Sequence, residues 1–294
     1  MKYFITSDVH GEYNKLIKAL EKNNFNKDTD TLISLGDLFD RGPDSKKVLE
    51  FVMSLPNKIL LFGNHDRRFR ELFIGADRAQ DFDKHNGVHM TMQSLCSDFM
   101  DVKKKNSPSD INYMMREFKN SESAKEIRKL LKDYFNSCDW AVEFKDLVGT
   151  HAWIPSKGLY WNGKLYGAEY MEDWRNSKDY LWDDAVWTYN VYTQDEAFIP
   201  DKKIIVGHVH SFIVEQTKRG TEIWGEIVNE KGQCDYGVLL PNEVPKIREF
   251  DHAIYIDGYA YNEHGDVLVY VYETDEEPII YLTDEHKMEK EKNE

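Results

Sequence analysis

Apolar and polar residues fall into blocks along the first third of the chain, and the blocks alternate between two periods. Lys2 to Ser7 is a short apolar run and predicts a strand. Tyr13 to Asn23 carries Leu16, Ile17 and Leu20 at helical spacing. Thr31 to Leu35 predicts a second buried strand, Ser45 to Met53 a helix with Val48, Leu49 and Val52 on one face, and Lys58 to Phe62 a third strand. This β-α-β-α-β order favours parallel pairing with right-handed crossovers. From about Arg67 to Asn136 the chain is rich in Lys, Asp, Met and Phe and poor in β-branched runs, which predicts a mostly helical insertion. Strand signals return at Trp140 to Phe144, Leu147 to Trp153, Lys203 to Val206 and Phe212 to Gln216. Residues 153–198 are crowded with Trp and Tyr, and 219–250 is loop-rich. Ala253 to Tyr261 and Val267 to Glu273 predict two late strands joined by the turn Asn262-Glu263-His264-Gly265. No internal repeat is present.

Composition narrows the functional classes. The 294 residues hold 38 basic and 53 acidic side chains, a formal charge of −15. An acidic surface is poorly suited to polynucleotides, which need Lys and Arg to displace counterions from phosphates. A small phosphorylated substrate stays open, because a bound metal inverts the local field. Apolar residues at 41% suffice for a sizeable core, and 13% aromatics rule out general disorder. Cys96, Cys138 and Cys234 are scattered, with no CxxC, which predicts a reducing compartment and a cytoplasmic protein. The N-terminal apolar run is too short for a signal peptide, and no stretch of ~18 apolar residues predicts a membrane span. The expected organisation is one domain over 1–282 with a helical insertion at about 75–140, followed by a charged tail, 283–294.

Five short segments carry the chemistry: Asp8-Val9-His10, Gly36-Asp37-Leu38-Phe39-Asp40-Arg41-Gly42, Gly63-Asn64-His65-Asp66, Gly149-Thr150-His151 and Gly207-His208-Val209-His210. The first three each follow a predicted strand. In a parallel sheet the strand C-termini share one edge, so Asp8, Asp37 and Asn64 are expected side by side. The spacing is regular, with 27 residues from His10 to Asp37 and 27 from Asp37 to Asn64, each fitting one α/β unit. Carboxylate, imidazole and amide oxygen together suit first-row divalent metals. The donors suffice for two ions, and Asp37, central in the order, is the best bridge. Two ions neutralised by Asp8 and Asp37 leave a net charge of about +2, suited to a phosphate dianion. Ions ~3.5–4 Å apart clamp phosphate oxygens and lower a bridging water to a pKa near ~7, giving a hydroxide for in-line attack.

These segments resemble the calcineurin-like metallophosphoesterase superfamily. Gly36-Asp37-x-x-Asp40-Arg41-Gly42 followed by Gly63-Asn64-His65-Asp66 is similar to the branch holding Ser/Thr protein phosphatases and symmetrical dinucleoside tetraphosphatases. A later Ile256-Asp257-Gly258 resembles that branch's Ile-Asp-Thr-Gly segment more weakly. The resemblance implies an α/β fold, a two-sheet β-sandwich flanked by helices, with the metals at one edge. It implies that Asp8, His10 and Asp37 bind one metal and that Asp37, Asn64, His151 and His208 bind the other. Arg41 would hold the phosphate, and His65, held by Asp40, would donate a proton to the leaving oxygen. Two departures stand out. His210 follows the last Gly-His, as in more distant relatives where such a His binds the first metal. Relatives often place a second phosphate-binding Arg after a Leu-Trp pair, but here Leu181-Trp182 precedes Asp183-Asp184, leaving Arg175 as a substitute. The implied cofactor is two divalent ions, manganese first, with iron or zinc as alternatives; magnesium suits so many imidazoles poorly.

Outside these segments the plain readings prevail. His85, His89, His252, His264 and His286 lack such context and are expected as surface or satisfied side chains, and Asp257 as a turn stabiliser. Lys103-Lys104-Lys105 is expected as a solvated face and the cysteines as inert. The aromatic block of Trp153, Tyr160, Trp161, Tyr170, Trp174, Trp182 and Trp187 is expected in the core, with a nucleobase platform as the sharper alternative. The leading function is metal-dependent hydrolysis of phosphomonoesters by a Ser/Thr protein phosphatase-like enzyme acting on phosphorylated peptides or proteins. The alternatives are a dinucleoside tetraphosphatase, a cyclic-nucleotide phosphodiesterase suggested only by His210, and a non-catalytic scaffold binding phosphorylated partners.

Overall fold

The computed structural model of the chain describes residues 1–103, 105–161, 164–188, 197–211 and 245–284. The predicted strand Phe212 to Gln216, Cys234, Lys104, His286 and most of the charged tail lie outside the described residues, as do the side chains of Tyr160 and Trp161.

The β-α-β-α-β start is present: β1 (Lys2–Thr6), α1 (Tyr13–Lys22), β2 (Thr31–Ser34), α2 (Ser45–Ser54) and β3 (Lys58–Leu61). Strands β1, β2 and β3 are adjacent and parallel. Five helices follow, α3 (Asn64–Ile74), α4 (Asp81–His85), α5 (Val88–Cys96), α6 (Pro108–Asn120) and α7 (Lys125–Ser137), so this stretch is helical as its composition predicts. The chain re-enters the first sheet at β4 (Cys138–Asp139) and then builds a second with β5 (Ala141–Glu143) and β6 (Leu147–Thr150). A separate hairpin, β7 (Ser156–Trp161) and β8 (Lys164–Tyr170), and a short helix α8 (Asp179–Ala185) lead to β9 (Lys203–His210), β10 (Arg248–Glu249) and β11 (Ala253–Asp257). Strands β12 (Val269–Glu273) and β13 (Ile279–Tyr281) close the described chain. The sheet orders are β12-β1-β2-β3-β4 and β10-β11-β9-β6-β5-β13, which is the expected two-sheet α/β architecture.

Period-2 alternation explains why the strands read as unbroken apolar runs. On β1, Tyr3 and Ile5 point to one face and Phe4 to the other. The first set meets Ile33, Leu61, Val142, Ile205, Ile254 and Ile256 in a core between the two sheets. Phe4 joins Leu32 and Val48 in the larger core under the helices. A strand covered on both faces has no polar side to alternate with.

One connection carries the chain from one sheet to the other. The turn around Asn262 is present, with the Gly265 N–H donating to the Asn262 carbonyl at 3.1 Å. The strands it joins do not pair: β11 runs beside β9 in the second sheet and β12 beside β1 in the first. Local turn chemistry marks the reversal but not the sheet to which the next strand belongs. Within the aromatic block, Trp153, Trp174 and Trp182 are buried as expected, whereas Trp187 is 49% exposed. Among the described residues no helix is long and apolar enough to cross a membrane.

Candidate metal and phosphate site

The C-terminal ends of β1, β2 and β3 meet those of β6 and β9, which are also parallel neighbours. Asp8 and His10 follow β1, while Asp37, Asp40 and Arg41 follow β2. Asn64 and His65 open α3 directly after β3, His151 follows β6, and His208 lies near the end of β9. The loops after β1 and β2 are zipped by backbone bonds: the His10 N–H donates to the Asp37 carbonyl at 3.0 Å and the Gly42 N–H to the His10 carbonyl at 2.8 Å. To turn this sharply, six non-glycine residues take left-handed backbone: Asp8 (φ 52°), His10 (46°), Asp37 (55°), Asp40 (70°), Arg41 (66°) and His208 (64°). Such conformations cost of order ~1–3 kcal/mol each and cluster at functional sites. Gly207 permits the closest approach of the two sheets, since a Cβ there would lie 1.9 Å from Asp8 Oδ2.

Hydrogen bonds on the far sides of the rings turn lone pairs inward. His10 Nδ1–H donates to the Phe39 carbonyl at 2.7 Å, which leaves Nε2 as an acceptor 3.9 Å from Asp8 Oδ1 and 3.9 Å from Asp37 Oδ2. His151 Nδ1–H donates to the Leu35 carbonyl at 3.0 Å, and its Nε2 lies 2.9 Å from Asn64 Oδ1 and 3.5 Å from Asp37 Oδ2. Backbone carbonyls behind metal-binding imidazoles fix tautomer and orientation in this way. Acceptors this close repel unless positive charge lies between them. Two triplets, His10–Asp37–His65 and Asp8–Asp37–His151, each bring ligand atoms within 4.8 Å of one another, and Asp37 belongs to both. The mixed nitrogen and oxygen donors therefore fit divalent first-row ions. His208 joins through Nδ1, 3.0 Å from Asn64 Oδ1, and through its N–H, which donates to Asp8 Oδ2 at 2.9 Å.

The electrostatics match that geometry. Burial, then the neighbouring charges of Asp257 and Asp37, push the Asp8 carboxyl well above its ordinary range. Burial, then Arg41 and His65, hold His10 well below the usual imidazole value. Burial and His151 do the same to His208. Both shifts favour the neutral ring, the form that ligates a metal. His65 is the exception. Burial works to lower it, but the charge of Asp37 and the bond to Asp40 outweigh burial and raise it. Its Nδ1 lies 2.8 Å from Asp40 Oδ2, and its Nε2 lies 3.1 Å from Arg41 Nη2. The Thr91 hydroxyl donates to Asp40 Oδ1 at 2.7 Å and accepts from the Asp40 N–H at 2.7 Å, so the carboxylate cannot swing.

A family model described as calcineurin-like phosphoesterase matches residues 1–212, well over half of the chain. The chain belongs to the calcineurin-like phosphoesterase family. Among curated relatives, a symmetrical bis(5'-nucleosyl)-tetraphosphatase of Salmonella paratyphi B is 44% identical over 85 residues, 29% of this chain. That match spans only 30% of the relative's own length. Two solved structures align more widely and more loosely. A cold-active protein tyrosine phosphatase shows 14% identity and a TM-score of 0.42, covering 91% of this chain and 73% of its own. A protein serine/threonine phosphatase from Saccharomyces cerevisiae shows 13% identity and a TM-score of 0.36, covering 96% of this chain and 82% of its own.

Of two further expected site residues, one lies beside the cluster and the other does not reach it. His210 turns its Nδ1 to Asp257 Oδ2 at 2.8 Å and, like Asn64 and His208, belongs to neither triplet. Arg175 does not reach the site: its guanidinium is held by Glu143, with Nε to Oε2 at 2.8 Å and Nη2 to Oε1 at 2.5 Å. A buried carboxylate demands a partner, and Arg175 supplies it.

Several contributing residues were not singled out from sequence. Asp66 caps α3 and also accepts the backbone N–H of Asp37 at 2.6 Å and of Leu38 at 3.3 Å, so it shapes the loop that presents Asp37. Burial and the charge of Asp37 push it up to about 7. The Gly63-x-x-Asp66 spacing is a helix N-terminus signal, which makes this residue findable. Thr91 lies 51 residues from Asp40 and offers no local signal. Asp257 stabilises its turn as expected, accepting the Tyr259 N–H at 2.8 Å. Tyr261 lies with its ring 4.3 Å from the Arg41 guanidinium carbon.

Proposed function

We propose that the chain hydrolyses phosphomonoesters, as a Ser/Thr protein phosphatase-like enzyme, using two divalent metal ions with manganese as the first choice. One observation carries this reading: two donor triplets share Asp37, and His65 of the first is held between Asp40 and Arg41. Asp8, His10, Asp37, Asn64, His151 and His208 would hold the ions. Bound ions supply Lewis acidity toward phosphoryl oxygens and an acidified water.

The chain's own groups account for the rest. Arg41 offers a guanidinium fork to two phosphate oxygens. Asp40 fixes the His65 ring and stabilises its protonated form, so His65 can give a proton to the departing oxygen. Thr91 holds Asp40 in place, and Asp66 holds the loop that presents Asp37. The substrate is a phosphorylated peptide or protein.

The curated relatives favour a second reading, a symmetrical dinucleoside tetraphosphatase, since 44% identity over 85 residues joins this chain to one. One assay separates the two. Manganese-dependent phosphate release is measured on an aryl phosphate, a phosphoserine/phosphothreonine peptide and a phosphotyrosine peptide, beside diadenosine tetraphosphate scored as ADP. Preference for the Ser/Thr peptide supports the first reading, and preference for the dinucleotide replaces it with the second. Silence on all four with metal bound overturns both.

A further inference from the structure

The loop 257–266, which carries the chain from one sheet to the other, lies beyond the residues that match the family, yet it reaches the phosphate side of the site. It is held from three directions. Asp257 Oδ1 accepts the Tyr259 N–H at 2.8 Å, while its Oδ2 pairs with His210. The Asp266 N–H donates to the Gly258 carbonyl at 3.0 Å. From α1, the Lys15 ammonium donates to three carbonyls of this loop: Ala260 at 2.7 Å, Asn262 at 2.7 Å and Gly265 at 2.8 Å. An ammonium has three N–H donors, and all three are spent on one turn.

The clamped turn sets Tyr261 against Arg41. The guanidinium carbon lies 4.3 Å from the ring centroid, within cation–π range. The same ring meets His10 edge-on at 5.3 Å and Tyr259 edge-on at 4.6 Å, so its own plane is fixed. Among the described residues four other arginines lie over aromatic rings, and each also holds a carboxylate: Arg67 with Asp183, Arg68 with Asp83, Arg116 with Glu117 and Arg175 with Glu143. Arg41 differs. Among the described residues no carboxylate pairs with it, its Nη2 meets only His65, and its buried Nε has no hydrogen-bond partner. A carboxylate would orient this guanidinium but would also neutralise it and occupy its donors. A ring face orients it and leaves both untouched.

We infer that Tyr261 is a positioning residue for phosphate binding: its ring, locked by the Lys15-clamped loop, fixes the plane of the Arg41 guanidinium while leaving its N–H edge for an oxyanion. The inference rests on the proposed phosphoesterase reading and deepens it by naming what orients the phosphate ligand.

The test uses the manganese-loaded full chain with an aryl phosphate as substrate and inorganic phosphate as competitive inhibitor. Tyr261→Leu keeps apolar bulk and removes the π face. It is expected to raise KM and the phosphate inhibition constant together by ~3–30-fold, with a smaller change in kcat. Tyr261→Phe keeps the face and is expected to stay within ~2–3-fold of wild type. Lys15→Met loosens the loop and is expected to move both constants the same way by a smaller factor. In an Arg41→Ala background, Tyr261→Leu is expected to add less than ~2-fold, because nothing remains to position. An equal effect in both backgrounds, or a fall in kcat with the phosphate constant unmoved, overturns the inference. If wild type turns over, Arg41→Ala weakens phosphate and Tyr261→Leu does not, the inference alone fails. If wild type with bound metal releases no phosphate from any substrate, the underlying reading fails instead.

Discussion

Two buried charged clusters lie along the same second sheet, and they are built on opposite principles. Where the C-terminal ends of β6 and β9 meet the loops after β1 and β2, carboxylates and ring lone pairs face each other, and burial raises Asp8 while it lowers His10 and His208. Farther along the sheet, on β5, Glu143 is surrounded by complements. Arg175 and Lys202 pair with it at 2.5 and 2.6 Å, and the Tyr281 hydroxyl donates to it. Burial works to raise Glu143, but these partners outweigh burial and hold it at about 2. The second cluster is satisfied within the chain and ties β13 and the segment before α8 to the sheet. The first gathers acceptors in an arrangement that fits bound cations. Charge that is left unbalanced, in strained backbone, marks the working site, and charge that is balanced marks a tie.

The largest effect that sharpens this contrast comes from metal removal. Chelation should reduce turnover to background and lower the melting temperature, and readdition of manganese should restore both. Ligand at ~100 times its dissociation constant adds ~2.7 kcal/mol of stability. A melting temperature indifferent to chelation would mean that the acceptors balance one another without a cation.

Next in size is His65→Asn, expected to lower turnover by ~10²–10⁴-fold on a poorly activated leaving group and far less on a well-activated one. Metal content per chain, measured in parallel, should stay at the wild-type value. Equal losses on both leaving groups would remove the proton-donor role.

Glu143→Ala should break the comparison from the other side. Removing one partner of a buried ion pair costs ~3–5 kcal/mol of stability, while turnover per folded molecule stays near wild type. The pH sign follows from the depressed carboxyl. Glu143 contributes fully above the unfolded value of 4.5, and its contribution is lost as pH falls toward about 2. Acid denaturation of Glu143→Gln should therefore show a shallower dependence on pH across that window than wild type.

The smallest expected effect has the reverse sign. Asp8→Asn in metal-free protein should be stabilising, because the Asp8 carboxyl is raised and its charged form opposes folding. A gain of ~1 kcal/mol corresponds to roughly 2–4 °C in melting temperature. The wild-type chain should approach the variant's stability as pH falls through the raised Asp8 value. A variant less stable than wild type in chelator would place Asp8 with the satisfied group.

The sequence made the site legible because its ligands sit at strand ends that the apolar runs locate. Asp8, Asp37 and Asn64 need only parallel neighbours to converge, and β-α-β order supplies them. His151 and His208 follow by the same rule in the second sheet. Residues whose partners are remote stayed hidden. Thr91 reaches Asp40 from a helix of the insertion, and Tyr261 reaches Arg41 from a loop more than two hundred residues away. Strand β13 is three residues long and partly exposed, so it has no periodic signature, and only its pairing with β5 makes it a strand. Arg175 was misjudged because its carboxylate partner, Glu143, lies 32 residues away on another element.

The Asp8–His208 contact joins two residues 200 positions apart, and it has a consequence for synthesis on the ribosome. Asp8, Asp37 and Asn64 leave the exit tunnel early, on strands able to pair among themselves. His151 and His208 do not yet exist. At ~5–20 residues per second the nascent chain carries an open, acidic half-site for on the order of 7–30 s before its last imidazole is made. During that interval the half-site offers mainly oxygen ligands and favours hard ions such as magnesium. The donors of His151 and His208 join only when β9 docks beside β6, so the full donor set is a late event in the birth of the molecule.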